Sequence, residues 1–384
     1  ALVVTAISVA AAPVELTIWT HHIDYFVLNN PESPGGVILN RYMDANPNVS
    51  FSVELMDANG EKLSIAMATN TGPDIFLDGL DMNFIEAGYV AVLPPQLYSS
   101  MHSMGLDPRT KLMIEYNGRA YGVPFMTDEY AVTYNKDHFS EVGLDEDRPP
   151  ATWDELRTYA RRLTKRSADG RLERSGFALR VTGAVGGIFD KWSAFLWSAG
   201  GDLVDPAFER YSKETKPAFY NDAGRAAAQF YYDLLHVDQV YESSMGDSRS
   251  LFRSLRASMQ YSEHRAVTYH ARNLPHLRYG LAVPPAPAGK RRPVTKGWTG
   301  YALQVTSYSK KQDVAFDVLR FFLEPENDLT RAVLLGATPY NVRNFGRQQW
   351  LDLPGMRDLP QILDYARPGG INIAYYPLRD ILGE

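Results

Sequence analysis

Two carboxylates raise the question of what this chain does. Asp78 closes the short apolar run 74–78, and Asp128 follows the turn-rich stretch 117–124, so both stand at or near expected strand ends. Two carboxyls flanking a glycosidic bond hydrolyse sugars, one as acid and the other as base or nucleophile. The same groups, asked for no chemistry, are acceptors for sugar hydroxyls. Nothing in the sequence shows them facing each other at a catalytic separation. His21 and His22 are adjacent at the end of an alternating run. Neighbours on a strand leave opposite faces, which makes them a poor metal pair. His264, His270 and His276 recur every six residues and share no helix face. The phosphate-binding, dinucleotide-binding, zinc-protease and nucleophile-elbow motifs are absent from the sequence. No cofactor and no metal are expected.

The composition narrows the class. The chain has 384 residues, room for two domains of ordinary size, with 45% apolar and 22% charged residues. A net charge of -6 speaks against nucleic acid as a partner. The only dense basic run, Lys290-Arg291-Arg292, is flanked by Pro and Gly and reads as a solvated loop. Tyrosine is plentiful at 23 residues and suits wet recognition surfaces as well as cores. The sequence holds no cysteine, which leaves no disulfide or thiolate ligand among these residues, and no lipid-anchored cysteine is expected. Residues 1–12 are apolar and small, like the end of a secretory signal peptide. They are too few to span a bilayer, which takes about 20. A first strand is the alternative for that stretch.

The elements that must position these residues follow from periodicity. Alternation predicts strands at 15–20, 49–55, 130–135 and 301–305, and the buried run 74–78 predicts another. Helices are expected at 37–46, 61–69 and 223–235. A further helix opens at Thr152, with Glu155 three residues on as a capping box. Asp313 is expected to cap a helix that stops at Glu324-Pro325, residues 183–201 read as a glycine-punctuated loop region, and Pro284-Pro285-Ala286-Pro287 reads as a linker. Strand and helix alternate from residue 15 to residue 78, the pattern of a parallel α/β domain.

Taken in order, these segments resemble the family 1 extracellular solute-binding proteins, the sugar-type group that includes maltose- and trehalose-binding proteins. The carrying pieces are Leu16-Thr17-Ile18-Trp19, Asn46-Pro47-Asn48-Val49, Gly72-Pro73-Asp74-Ile75, Tyr121 through Phe125, Tyr134 through Phe139, Pro149 through Leu156, Ser198 through Asp202, Gly297-Trp298, Gly300 through Leu303 and Thr338-Pro339. Each is weak alone, and their joint order makes the match. The resemblance implies an α/β fold of two lobes joined by crossing hinge strands, with the ligand in the cleft between them. The first lobe is expected to hold 13–126 and 283–329, the second 127–282 and 330–384.

The resemblance also implies site residues. His21 and His22 follow the first strand, where the family contacts ligand. Asp78 is expected to accept sugar hydroxyls, or else to cap a helix, and Asp128 lies at the lobe crossing, as a ligand contact or a hinge ion pair. Trp298, after Gly297, is expected to stack on a pyranose face, with a core or seam Trp as the alternative. Arg343 matches a late basic contact, or is surface. Where the family places a stacking Trp, this chain has His264 or Arg265, and Tyr261 or Glu263 is expected to supply the lost contacts. Arg265 with Arg343 favours an acidic or phosphorylated sugar. The function implied is periplasmic capture of a carbohydrate by a monomer, which delivers it to the membrane permease subunits of an ATP-binding-cassette importer. A binding protein for a polyol or glycerophosphodiester, and a secreted carbohydrate-active enzyme, are the alternatives.

Overall fold

The computed structural model describes residues 12–57, 60–127, 129–182, 185–205, 216–264, 273–289, 294–297 and 300–367. The expectations for residues 1–11, Asp128, Arg265, His270, the basic run at 290–292, Trp298 and the end of the chain lie outside them. The chain divides into two units, 1–126 with 300–345 and 127–299 with 346–384.

The first unit is built on a five-stranded sheet. Val14–Thr20 lies between Val49–Leu55 and Ile75–Asp78, all parallel. Gly300–Val305 runs antiparallel to Ile75–Asp78, and Val123–Thr127 completes the sheet beyond it. Helices Pro34–Ala45 and Glu61–Thr69 make the parallel connections. The first starts at 34, ahead of the expected 37, because Ser33 Oγ accepts from Gly36 N at 3.3 Å and Pro34 takes the first helical position. Leu16, Ile18, Ile75, Leu77, Phe125 and Leu319 are among the buried residues of one core.

In the second unit, Tyr130–Asn135 is the middle strand, antiparallel to Met259–Glu263 on one side and Tyr279–Ala282 on the other. Bridges from Ser175 to Ala257 and from Ala178 to Gln260 add a parallel edge. Helix Trp153–Leu163 opens as expected: Thr152 Oγ1 accepts from Glu155 N at 3.2 Å, and the Glu155 carboxylate accepts from Ala151 N at 2.8 Å. Trp153 stacks on Phe230 at 4.5 Å, with Phe195 5.2 Å from Phe230, at the centre of a separate core.

The structure corrects four expectations. The region 183–201 is not loop: Val185–Ser198 is a helix. Its glycines stand in the first turn, and the apolar run Phe189, Ala194, Phe195, Leu196, Trp197 behind them is buried. The proline-rich stretch is not a linker, since Trp153 Nε1 donates to Pro285 O at 3.1 Å and Trp153 N to Ala286 O at 3.2 Å. Asp313 lies in the first turn of Gln312–Phe322 without capping it. The unit boundaries fall at 299/300 and 345/346, not at 282/283 and 329/330. Residues 283–299 stay in the second unit through Pro285 and through Thr295, whose hydroxyl bonds to Tyr261 Oη and to Tyr130 O. Residues 330–345 stay in the first through a buried knot. Asp328 receives Tyr340 N, Asn341 N, Asn344 Nδ2 and Arg331 Nη2, all between 2.9 and 3.1 Å. Arg331 also donates to Phe125 O and Thr338 O.

Candidate functional site

Ligands of open α/β sheets sit beyond the carboxyl ends of the strands, where loops and side chains converge. Each unit has such an end.

In the first unit, Val14–Thr20 and Ile75–Asp78 are parallel with Thr20 opposite Leu77, so the chain delivers His21 beside Asp78. His21 Nε2 lies 3.6 Å from Asp78 Oδ2, and both side chains are partly exposed. Interaction with that carboxylate raises the His21 pKa above its ordinary value, against the opposing effect of burial. Asp57 adds to the rise. His22 turns elsewhere, stacking on Tyr25 at 5.1 Å and meeting the edge of Tyr301 at 5.2 Å. Gln304 Nε2 donates to Asp78 O at 3.1 Å and Gly79 O at 3.3 Å, which fixes the loop after the strand. Asp78 therefore presents a carboxylate held by Gly79 N, which donates to its Oδ1 at 2.7 Å, with the His21 imidazole beside it. Arg343 belongs to the same unit, exposed on the turn Val342–Gly346, and forms no ion pair with Asp78 among the described residues.

In the second unit, Glu263 ends its strand opposite Tyr130, which begins the next. Tyr130 Oη donates to Glu263 Oε1 at 2.9 Å. Lys191 Nζ donates to Glu263 Oε2 at 3.2 Å and lies 4.1 Å from the centroid of the Tyr130 ring. Arg249 Nη1 stands 3.9 Å from Glu263 Oε2. Lys296 Nζ donates to Asp190 Oδ2 at 2.7 Å and sits 5.0 Å from the centroid of the same ring. Burial lowers the Lys191 pKa to about 8, opposed by Glu263. The result is a compact set of donors, carboxylates and one phenol, bedded on an aromatic core.

The expected residues of this unit take distinct places. Glu263 is central to the cluster. Tyr261 is buried, and its hydroxyl meets Thr295 Oγ1 at 2.9 Å and accepts from Lys296 N at 3.0 Å, so it holds the strand that carries Lys296. His264 is fully buried with its Nδ1 3.2 Å from Glu129 O and 3.4 Å from Glu129 Oε2. Gly297 gives room to its own chain, because a Cβ there would stand 2.7 Å from Ala366 Cβ. Trp197 is core, with the Arg367 guanidinium 4.5 Å from its ring centroid. Sequence reasoning missed Asp190, Lys191, Arg249, Lys296 and Tyr130. An Asp-Lys dipeptide set in the otherwise apolar helix Val185–Ser198 was the available signal, since a charge on a buried helix is retained only with a partner. Among the described residues no cluster of three or more His, Asp or Glu is arranged to hold a metal ion.

The comparisons with known proteins agree with this architecture. A binding protein from Brucella abortus is 23% identical over 290 residues, which is 73% of this chain and 66% of the relative, so just under two thirds of that protein's length is matched. A Thermotoga lettingae ABC-transporter solute-binding protein, solved with α-D-tagatose, superposes with a TM-score of 0.79 at 20% identity, covering 96% of this chain and 92% of that one. UgpB from Mycobacterium tuberculosis, solved with glycerophosphocholine, gives 0.77 at 18% identity over 97% and 91%. These likenesses show the two-lobed fold of periplasmic solute-binding proteins. The family model matches residues 32–328, and the chain belongs to the bacterial extracellular solute-binding proteins.

Proposed function

We propose that this chain is the solute-capturing component of an ATP-binding-cassette importer. It works in the periplasm as a monomer, binds a carbohydrate without transforming it, and hands it to the permease subunits. The observation that carries the reading is the carboxyl end of each sheet. There the chain places held polar groups, Asp78 with His21 in one unit and Glu263 with Lys191 and Tyr130 in the other. Carboxylates fixed by neighbours accept paired sugar hydroxyls, and aromatic faces such as Tyr25 and Tyr301 suit the C–H face of a pyranose. Binding needs only differential affinity between conformations, with no bond made or broken.

The reading extends to Asp128, Arg265 and Trp298 as ligand contacts, with Trp298 as the stacking platform. Losing one aromatic platform costs on the order of 1–3 kcal/mol, roughly a tenfold to hundredfold loss of affinity. Trp298→Ala is expected to lose that affinity while the unliganded melting temperature changes little. A thermal-shift screen of sugars, polyols and glycerophosphodiesters tests the function, because a ligand that binds only the folded state raises stability by mass action. A saturating rise with a saccharide supports the reading. A rise confined to non-saccharide solutes replaces the carbohydrate with that class.

A further inference from the structure

Four cationic side chains, Arg180, Lys191, Arg249 and Lys296, meet at the carboxyl end of the second unit's sheet. Lys296 is satisfied by Asp190 at 2.7 Å, and Lys191 by Glu263 at 3.2 Å. Glu129 lies against the buried His264. Arg249 only approaches the already occupied Glu263, at 3.9 Å, and its side chain is 41% exposed. Arg180 forms no ion pair or hydrogen bond through its guanidinium among the described residues.

The position of Arg180 is built. Ala178 bridges Gln260 in parallel, so Arg180 leaves the edge of the sheet at the same end as Glu263. Its guanidinium then lies over Gly187, where a Cβ would stand 2.5 Å from Cζ and 2.6 Å from Nη2. Gly187 and Lys191 are four apart on helix Val185–Ser198 and share a face. Arg180 is thus one helical turn from Lys191, and both Arg180 and Arg249 act on the Lys191 charge. Among the described residues, Asp190 and Glu263 are taken by the two buried lysines, and the two arginines are the more exposed members. A guanidinium with free donors is the group best matched to phosphate or carboxylate.

We propose that this cluster takes an anionic group of the solute, phosphoryl or carboxyl, with Arg180 and Arg249 as the recognising side chains and Gly187 as the residue that gives Arg180 its place. The inference rests on the solute-binding reading and specifies its substrate class.

Calorimetric titration of the full chain with glucose 6-phosphate, glucuronate, glucose and maltose tests it. The expected result is saturable binding of one or both anionic sugars, at least about tenfold tighter than glucose and weakened by added salt. The phosphate and carboxylate arms tell the two anion sources apart. Arg180→Gln and Arg249→Gln should each weaken anion binding about tenfold or more, with melting temperatures near that of the parent. Gly187→Ala keeps every charge but displaces the Arg180 guanidinium. It should weaken anion binding while leaving the fold intact, since only the end of a flexible side chain must move. Neutral sugars bound as tightly as the anionic ones, with all three variants unchanged, would overturn the anion assignment and leave the solute-binding reading standing. Saturable binding by neither class would overturn the anionic-sugar assignment, and the reading of this chain as a solute-binding protein would then stand or fall on the thermal screen of polyols and glycerophosphodiesters.

Discussion

The Lys191 ammonium lies 3.2 Å from Glu263 Oε2, and the two side chains are only 2% and 10% exposed. Removing one member of such a pair strands the other in a medium that solvates charge poorly, which typically costs about 3–5 kcal/mol. Glu263→Ala is therefore expected to lower chemical-denaturation stability by about that amount. The double variant Lys191→Met, Glu263→Gln should recover most of the loss. A double variant no more stable than Glu263→Ala would show that the pair is not the source of the cost.

The same lysine makes a pH prediction. Its folded pKa is about 8, below the ordinary lysine value of 10.5, so over that interval the unfolded chain binds more protons than the folded one. Stability contributed through Lys191 therefore rises with pH from about 8 upward. Several buried tyrosines, Tyr261 among them, are pushed above their usual value and oppose this trend at higher pH. The clean window is pH 8 to about 9.5. Melting curves there should show the parent gaining on Lys191→Met as pH increases, and parallel curves would refute the assignment.

His21 behaves in the opposite sense. Its folded pKa is raised above 6.5 by Asp78, so its stabilising contribution is fully present below pH 6.5 and is lost as pH rises through the folded value. NMR titration of the ring should give an elevated midpoint that falls in Asp78→Asn. An identical midpoint in that variant would remove Asp78 as the cause.

The buried knot at Asp328 predicts a purely structural effect. Its carboxylate receives two backbone N–H groups, one Asn amide and Arg331, whose side chain is 2% exposed. Asp328→Ala should destabilise the protein by about 3–5 kcal/mol. Because the knot lies in the core of its unit, ligand affinity measured well below the melting temperature should stay near that of the parent.

The parallel strands and their helices were legible because alternation and capping are local signals. The strands at 49–55 and 130–135, the helix at 61–69 and the Thr152–Glu155 box needed nothing from elsewhere in the chain. Asp78 was legible as a strand-end carboxylate for the same reason. What was not legible depends on distant partners. Gly186 and Gly187 read as breakers, yet position 187 is glycine because Arg180 occupies the space a Cβ would take. The prolines at 284–287 read as a linker, yet they wall in Trp153. The return point of the chain was misjudged because Arg331 and Asp328 bond to segments over a wide range of sequence, none of which leaves a periodic trace. The second cluster was half seen: Glu263 came from the family resemblance, at the place where a stacking Trp is missing, whereas Lys191 was hidden in a segment read as loop.

The central claim, reversible capture without chemistry, is tested most directly by one calorimetric titration with the solute selected in the thermal screen, followed by recovery and mass analysis of that solute after long incubation. The account predicts saturation at one solute per chain and a solute recovered chemically unchanged. Progressive conversion to a product, or heat that never saturates, would contradict it.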